Sequence, residues 1–185
     1  MTEGKWTKNV MMELDALYHE KIEFRLMYFI AAFLGLISLS MMGLLIYHVM
    51  VAPIDNEPGL VWFFLGESLL MGAVAVLVIQ FHTLDIILTY QGIIIKFGRI
   101  KKSVPWIDIE SYQAITTGNL LNSGGWKFGL GRNGWYAMYT VIGKPRISLK
   151  LNTGRIKELL FSTANPQEVV RIIKRQTGKD ESRQV

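Results

Sequence analysis

The sequence predicts a membrane α+β protein: a two-helix transmembrane hairpin, then a small antiparallel β-barrel or sandwich with a C-terminal capping helix. Three observations predict it. Two long apolar runs lie in the first half of the chain. After Phe81 the apolar period changes from 3.6 to 2. A helix-start signature with an apolar stripe follows near the C-terminus.

The first run, 26–51, contains no Asp, Glu, Lys or Arg. As a helix it is about 39 Å long, enough to cross a hydrocarbon core of roughly 30 Å with tilt. The second, 60–81, carries one acid, Glu67. Between them, 52–59 reads APIDNEPG, in which Pro53, Pro58 and Gly59 interrupt helix. So short a loop makes the spans an antiparallel hairpin. The loop has no Lys or Arg, whereas Lys21 and Arg25 precede the first span and Lys96, Arg99, Lys101 and Lys102 follow the second. The positive-inside rule then predicts a multi-pass protein of the cytoplasmic (inner) membrane with both termini cytoplasmic. The apolar run is too long, and its preceding segment too acidic, for a cleavable signal peptide.

Small residues recur on one face of each span: Ala31, Gly35 and Ser38 in the first, Ser68, Gly72 and Ala75 in the second. Such faces let helix backbones approach in lipid. They predict either the seam of this hairpin or contact with a partner's helices. Glu67 lies about 10 Å below the outer end of its helix, and His48, beside Tyr47, is at comparable depth. An intramembrane acid is costly and needs a partner. Three roles suit it: a hydrogen-bonded lock within the hairpin, an intramembrane contact with another protein, or a step in a proton relay. Glu67 and His48 are therefore the candidate intramembrane contact residues.

Residues 1–25 form a cytoplasmic segment with four Lys/Arg and five Asp/Glu. Val10, Leu14, Leu17 and Tyr18 fall on one stripe. They predict an amphipathic interfacial helix, or a simple extension of the first span, over 9–25.

The cytoplasmic domain, 82–176, reads as about seven short strands. Leu84–Tyr90 and Ile93–Phe97 flank a Gln91-Gly92 turn, and 103–114 continues beyond Lys102, with Pro105 suited to an edge. After a loop over 116–125, Trp126–Leu130, Tyr136–Val141, Arg146–Leu151 and Glu158–Thr163 alternate with Gly143-Lys144-Pro145 and Asn152-Thr153-Gly154 turns. Trp126, a large aromatic opening a strand, is expected in the core. Asn165 suits an N-cap, Pro166 the first helical position and Glu168 a capping box. Val169, Ile172 and Ile173 give the stripe, and Gly178 the stop. The tail, 177–185, is predicted to be disordered.

Two stretches carry a family likeness. One runs from Gln91-Gly92-Ile93-Ile94-Ile95-Lys96-Phe97-Gly98 through Val104-Pro105-Trp106-Ile107-Asp108-Ile109. The other runs from Gly125-Trp126 to Asn152-Thr153-Gly154-Arg155 and on to Ser162–Glu168. Over roughly 20–176 the chain resembles the bacterial pleckstrin-homology-like (PH-like) small membrane proteins, which often place this domain directly after a two-helix hairpin. The resemblance implies a fold and no chemistry.

Several function classes are excluded or disfavoured. Without cysteine the chain has no disulfide, thiolate metal site or iron–sulfur cluster. Gly129-Leu130-Gly131-Arg132-Asn133-Gly134 is a literal G-x-G-x-x-G, but strand formers follow it and Lys150 stands near where a ribose-binding acid belongs. It predicts a hairpin loop. Asp108 and Glu110 read as a solvated pair on one strand face. No catalytic, cofactor-binding or metal-binding residue is assigned, and no nucleic-acid partner, because the net charge of +5 has a topological cause. Lys96, Arg99, Lys101 and Lys102 are candidate contacts for anionic lipid, at about 1 kcal/mol each. The expected function is a non-enzymatic membrane-anchored scaffold or adaptor that presents a protein-binding domain at the inner leaflet. The alternative is an accessory subunit of a larger membrane complex, docking through the hairpin. Expected partners are membrane lipids and another membrane protein or complex.

Overall fold

A computed structural model describes residues 16–51, 58–115, 124–131 and 134–181. It divides into two units, 24–82 and a second made of 1–23 with 83–185. The domain is therefore discontinuous in sequence, with the helical unit inserted into it.

The helical unit holds α1 (Leu26–Met50) and α2 (Pro58–Ile79), packed along one another. Both are long and apolar enough to cross a membrane. Pro58 opens α2, where its missing N–H costs nothing. The predicted loop residues 52–57 lie outside the described residues.

The second unit is α+β. Among the described residues it has two open sheets and a C-terminal helix, and the strands do not close into a barrel. The first sheet has the order β1 (Ala16–Glu23), β2 (Thr83–Thr89), β3 (Gly92–Phe97) and β4 (Ile100–Pro105), antiparallel throughout. A single 3₁₀ turn, Trp106–Asp108, leads into the second sheet. Its strands are β5 (Ile109–Ile115), β6 (Gly125–Gly131), β7 (Gly134–Thr140), β8 (Arg146–Leu151) and β9 (Ile156–Ser162), in the order β5-β8-β9-β7-β6. The β7–β9 pair is parallel and the others antiparallel. Helix α3 (Pro166–Thr177) packs on the 3₁₀ turn and β5.

Most of the core comes from one face of each sheet, with Ile87 and Ile94 buried on the other face of the first. Leu84, Ile86, Leu88, Ile93 and Ile95 of the first, and Ile109, Ile147, Leu149, Leu159 and Phe161 of the second, have no exposed surface. Val169 and Ile173 of α3 are equally buried, as their stripe predicts. Burial of each such side chain contributes about 1.5–3 kcal/mol.

Four sequence expectations change. Ala16–Glu23 is a strand where the stripe predicts a helix, and residues 1–15 lie outside the described residues. Its pairing with β2, from Glu23↔Thr83 to Ala16↔Thr89, outweighs local periodicity. Asp108 belongs to the 3₁₀ turn, so it does not share a strand face with Glu110.

Trp126 is 45% exposed on β6, and among the described residues of this unit the buried indole is Trp106, at 8%. Trp106 Nε1–H donates to the Thr89 carbonyl at 2.9 Å. The physical reason is position: β6 is the last strand of its sheet, so its neighbours cover only one flank of Trp126.

The tail is ordered through Glu181. The Tyr112 hydroxyl donates to the Lys179 carbonyl at 3.0 Å, and the Glu181 carboxylate accepts the Ala114 N–H at 2.7 Å. Residues 182–185 lie outside the described residues.

Candidate functional site

The two small-residue faces of the helical unit meet around Ser38, Ser68 and Gly72, while a Cβ on Gly35 would touch nothing within 4 Å. Ser38 Oγ donates to the Ser68 carbonyl at 2.8 Å, and Ser68 Oγ donates to the Ser38 carbonyl at 3.0 Å. Ser68, Ala31 and Ala75 are the most buried side chains of the spans. A Cβ on Gly72 would lie 3.3 Å from Ser38 Oγ, so glycine keeps the seam close. These reciprocal serine bonds hold the helices together.

Glu67 is not part of that lock. It is half-buried, and it makes no hydrogen bond or ion pair with any described residue. His48 stacks on Phe64, ring centroids 5.9 Å apart and 10° from parallel, with Tyr47 edge-on to it at 5.6 Å. Phe64 is one helical turn before Glu67. The structure thus places His48 over the same stretch of α2 but joins no hydrogen bond between the two.

The basic candidates separate. On the outer face of the first sheet, cross-strand register aligns Lys21, Asp85, Lys96 and Lys101 in one row. Directly opposed residues share a face and interact, so Asp85 sits between Lys21 and Lys96, and Lys96 faces Lys101. Asp85 Oδ1 is buried without a hydrogen-bond partner. Arg99 is in the exposed β3–β4 turn, while Lys102 opposes Ile95 and points with it to the other face. The structure thus brings Lys96 and Lys101 together, leaves Lys102 apart, and adds Lys21. Local sequence does not mark Lys21 for this role, because its place in the row exists only once 16–23 is a strand.

The core side of β1 holds a second polar cluster. The Glu20 carboxylate accepts from Thr163 Oγ1 at 2.6 Å, from the Ala164 N–H at 2.6 Å and from the Tyr18 hydroxyl at 2.8 Å. Asn165 Nδ2 donates to the Tyr18 hydroxyl at 3.3 Å. Burial is the largest influence on the Tyr18 phenol and raises its pKa, so it stays protonated and able to donate. The Asn165 side chain does not cap α3. Instead Thr163 Oγ1 accepts the Asn165 N–H, and Glu20 of β1 takes the Ala164 N–H. Glu168 forms an ion pair with Arg171 rather than a capping box.

Gly129 and Gly131 lie in β6 and Gly134 opens β7, with Gly131 opposite Gly134 in an antiparallel pair. The G-x-G-x-x-G run is therefore a strand–strand connection and opens no helix. No cluster of three or more His, Asp or Glu side chains able to hold a metal ion occurs among the described residues.

Comparison with known proteins finds no matching family, no matching curated relative and no matching solved structure.

Proposed function

We propose that the chain is a non-enzymatic membrane-anchored adaptor of the PH-like kind. Its hairpin crosses the cytoplasmic membrane with both termini inside, and its β unit is a protein-binding module kept at the inner leaflet. The supporting observation is the way the hairpin enters the chain. It is inserted between the adjacent strands β1 and β2, with two residues before α1 and three after α2. Two short connections restrict a tethered domain far more than one flexible linker does. Lys21, Lys96, Lys101 and Arg99 supply cations for anionic headgroups, and the two sheets with a closing helix are compatible with the resemblance in sequence.

Topology is tested by reporter fusion. A reporter active only outside the cytoplasm is expected to be silent when fused at Val185 and active when inserted at Asp55. Activity at Val185 rejects the orientation and with it the inner-leaflet adaptor.

The absence of a bond to Glu67 favours a second reading, an accessory subunit that docks through the hairpin. A carboxyl group in hydrocarbon needs a partner, and the serines already close the hairpin. On this reading Glu67→Gln and Glu67→Leu both leave detergent-solubilised thermal stability nearly unchanged. Both lose the membrane protein that photo-cross-links next to position 67 in the wild type. A hairpin destabilised by Leu and spared by Gln would show instead that Glu67 hydrogen-bonds within the chain.

A further inference from the structure

The four sheet edges are not equally protected. An edge strand offers unpaired backbone groups and is normally blunted by charge, proline or cover. On β1, His19, Lys21 and Glu23 are exposed, and Glu20 ties the strand to the β9–α3 connection. β4 exposes Lys101 and ends in Pro105. β5 is covered by the C-terminal segment: Lys179 Nζ donates to the Ile109 carbonyl, and Glu181 takes the Ala114 N–H.

Among the described residues β6 has one exposed charge, Lys127, and neither a proline nor a covering segment. Trp126, Phe128 and Leu130 lie on one face of it, 45%, 48% and 71% exposed. Cross-strand register puts them on the face that carries Tyr139, Phe161 and Ile147, so the core side of the second sheet continues past β7 onto an open edge. Trp135 stacks on Phe128, centroids 4.9 Å apart and 12° from parallel, and extends the patch. The opposite face carries Lys127, Gly129 and Gly131. A Cβ on Gly129 would come within 2.8 Å of the Tyr136 hydroxyl, so only glycine lets that ring lie across the strand.

We infer that β6 is a self-association edge, whose occupant is β6 of a second copy of this chain, paired antiparallel about a two-fold axis at Phe128. The pattern of charge and size selects this register. With the axis at Phe128, Trp126 faces Leu130 of the partner subunit, and the only charged side chain of the strand, Lys127, faces Gly129 of the partner subunit. An axis at Lys127 would oppose two lysines directly, which is destabilising. An axis at Gly129 would leave Trp126 beyond the strand's end, Gly131. The contact is isologous and closes at two copies, and it joins the second sheets of both by strand addition. It is independent of the adaptor and subunit readings.

The absence of cysteine makes the test direct. Single-cysteine variants of the full chain in detergent are mildly oxidised. Phe128→Cys is expected to form a covalent dimer as its main product, because residues on the axis are directly opposed and about 4.5–5.5 Å apart between Cα atoms. Trp126→Cys and Leu130→Cys each stay monomeric alone, since like positions are roughly 13 Å apart, and they cross-link when mixed. Lys127→Cys does not cross-link. Unmodified protein has the mass of two chains by light scattering, and Phe128→Lys has the mass of one while keeping the far-ultraviolet circular dichroism of the folded chain. The proposal is overturned if Phe128→Cys stays monomeric, or if all four positions cross-link equally. It is also overturned if a fluorophore at Phe128→Cys shifts to the blue in anionic vesicles while the protein remains monomeric, which assigns the face to lipid.

Discussion

Trp106→Ala is expected to destabilise the β unit by about 3–5 kcal/mol, the cost of removing a buried large aromatic. The side chain is 8% exposed, and its indole N–H supplies the Thr89 carbonyl. Its backbone N–H also reaches the Gln91 carbonyl, at 3.4 Å. The residue stands at the turn from β4 to β5, where the chain leaves one sheet for the other, and α3 packs on that turn. Alanine leaves a cavity at this junction and a carbonyl without its donor. In the monomeric Phe128→Lys background, Trp126→Ala is expected to cost less than about 1 kcal/mol, because nearly half of that side chain is not covered by its own chain. Denaturant unfolding of the full chain in detergent, followed by circular dichroism at a strand-sensitive wavelength, separates the two. Equal losses would contradict the burial difference.

These tryptophans show where sequence reading reaches its limit. Each stands beside residues typical of strands, and local pattern gives Trp126 a place in the core and leaves Trp106 without one. What separates them is sheet order, with β6 last in its sheet and Trp106 between the two sheets. Sheet order comes from pairings distant in sequence, such as the parallel β7–β9 ladder, and no local residue pattern encodes it. Elements defined by local chemistry were legible. The spans follow from uninterrupted apolar runs, β2 and β3 from the Gln91-Gly92 turn, β8 and β9 from Asn152-Thr153-Gly154, and α3 from Pro166 and Gly178. Gly178 adopts a left-handed φ of 67°, as a C-terminal stop requires.

β1 was not legible for the opposite reason. Its partner β2 lies on the far side of the hairpin, and Leu17 and Tyr18 complete a helical stripe that pairing then overrides. Glu67 was legible as exceptional from composition alone. That the hairpin closes without it, through Ser38 and Ser68, depends on how the two helices pack and not on any local residue pattern.

The second large effect is expected at Glu20. Its carboxylate receives three hydrogen bonds, two of them from the segment between β9 and α3. Bonds to a charged acceptor contribute about 1.5–3 kcal/mol each, and a donor left buried without a partner adds its own cost. The bonds share one acceptor group, so their energies do not add. Glu20→Ala is therefore expected to cost about 2–4 kcal/mol, and Glu20→Gln about half, because the amide keeps one oxygen to accept from Thr163 or Ala164.

The loss should be local before it is global. Hydrogen exchange is expected to accelerate first at Ala164 and along β1, while β8 and β9 keep their protection. Uniform acceleration would mean that Glu20 supports the whole core instead. β1 runs into α1 after two residues, so the Glu20 contacts fasten the strand that enters the hairpin to the far end of the domain's chain. Freeing β1 leaves the β unit attached through β2 alone. The adaptor reading then expects Glu20→Ala to loosen the tether without removing the hairpin from the membrane, seen as protease cleavage near Glu23 in protein that still pellets with membranes.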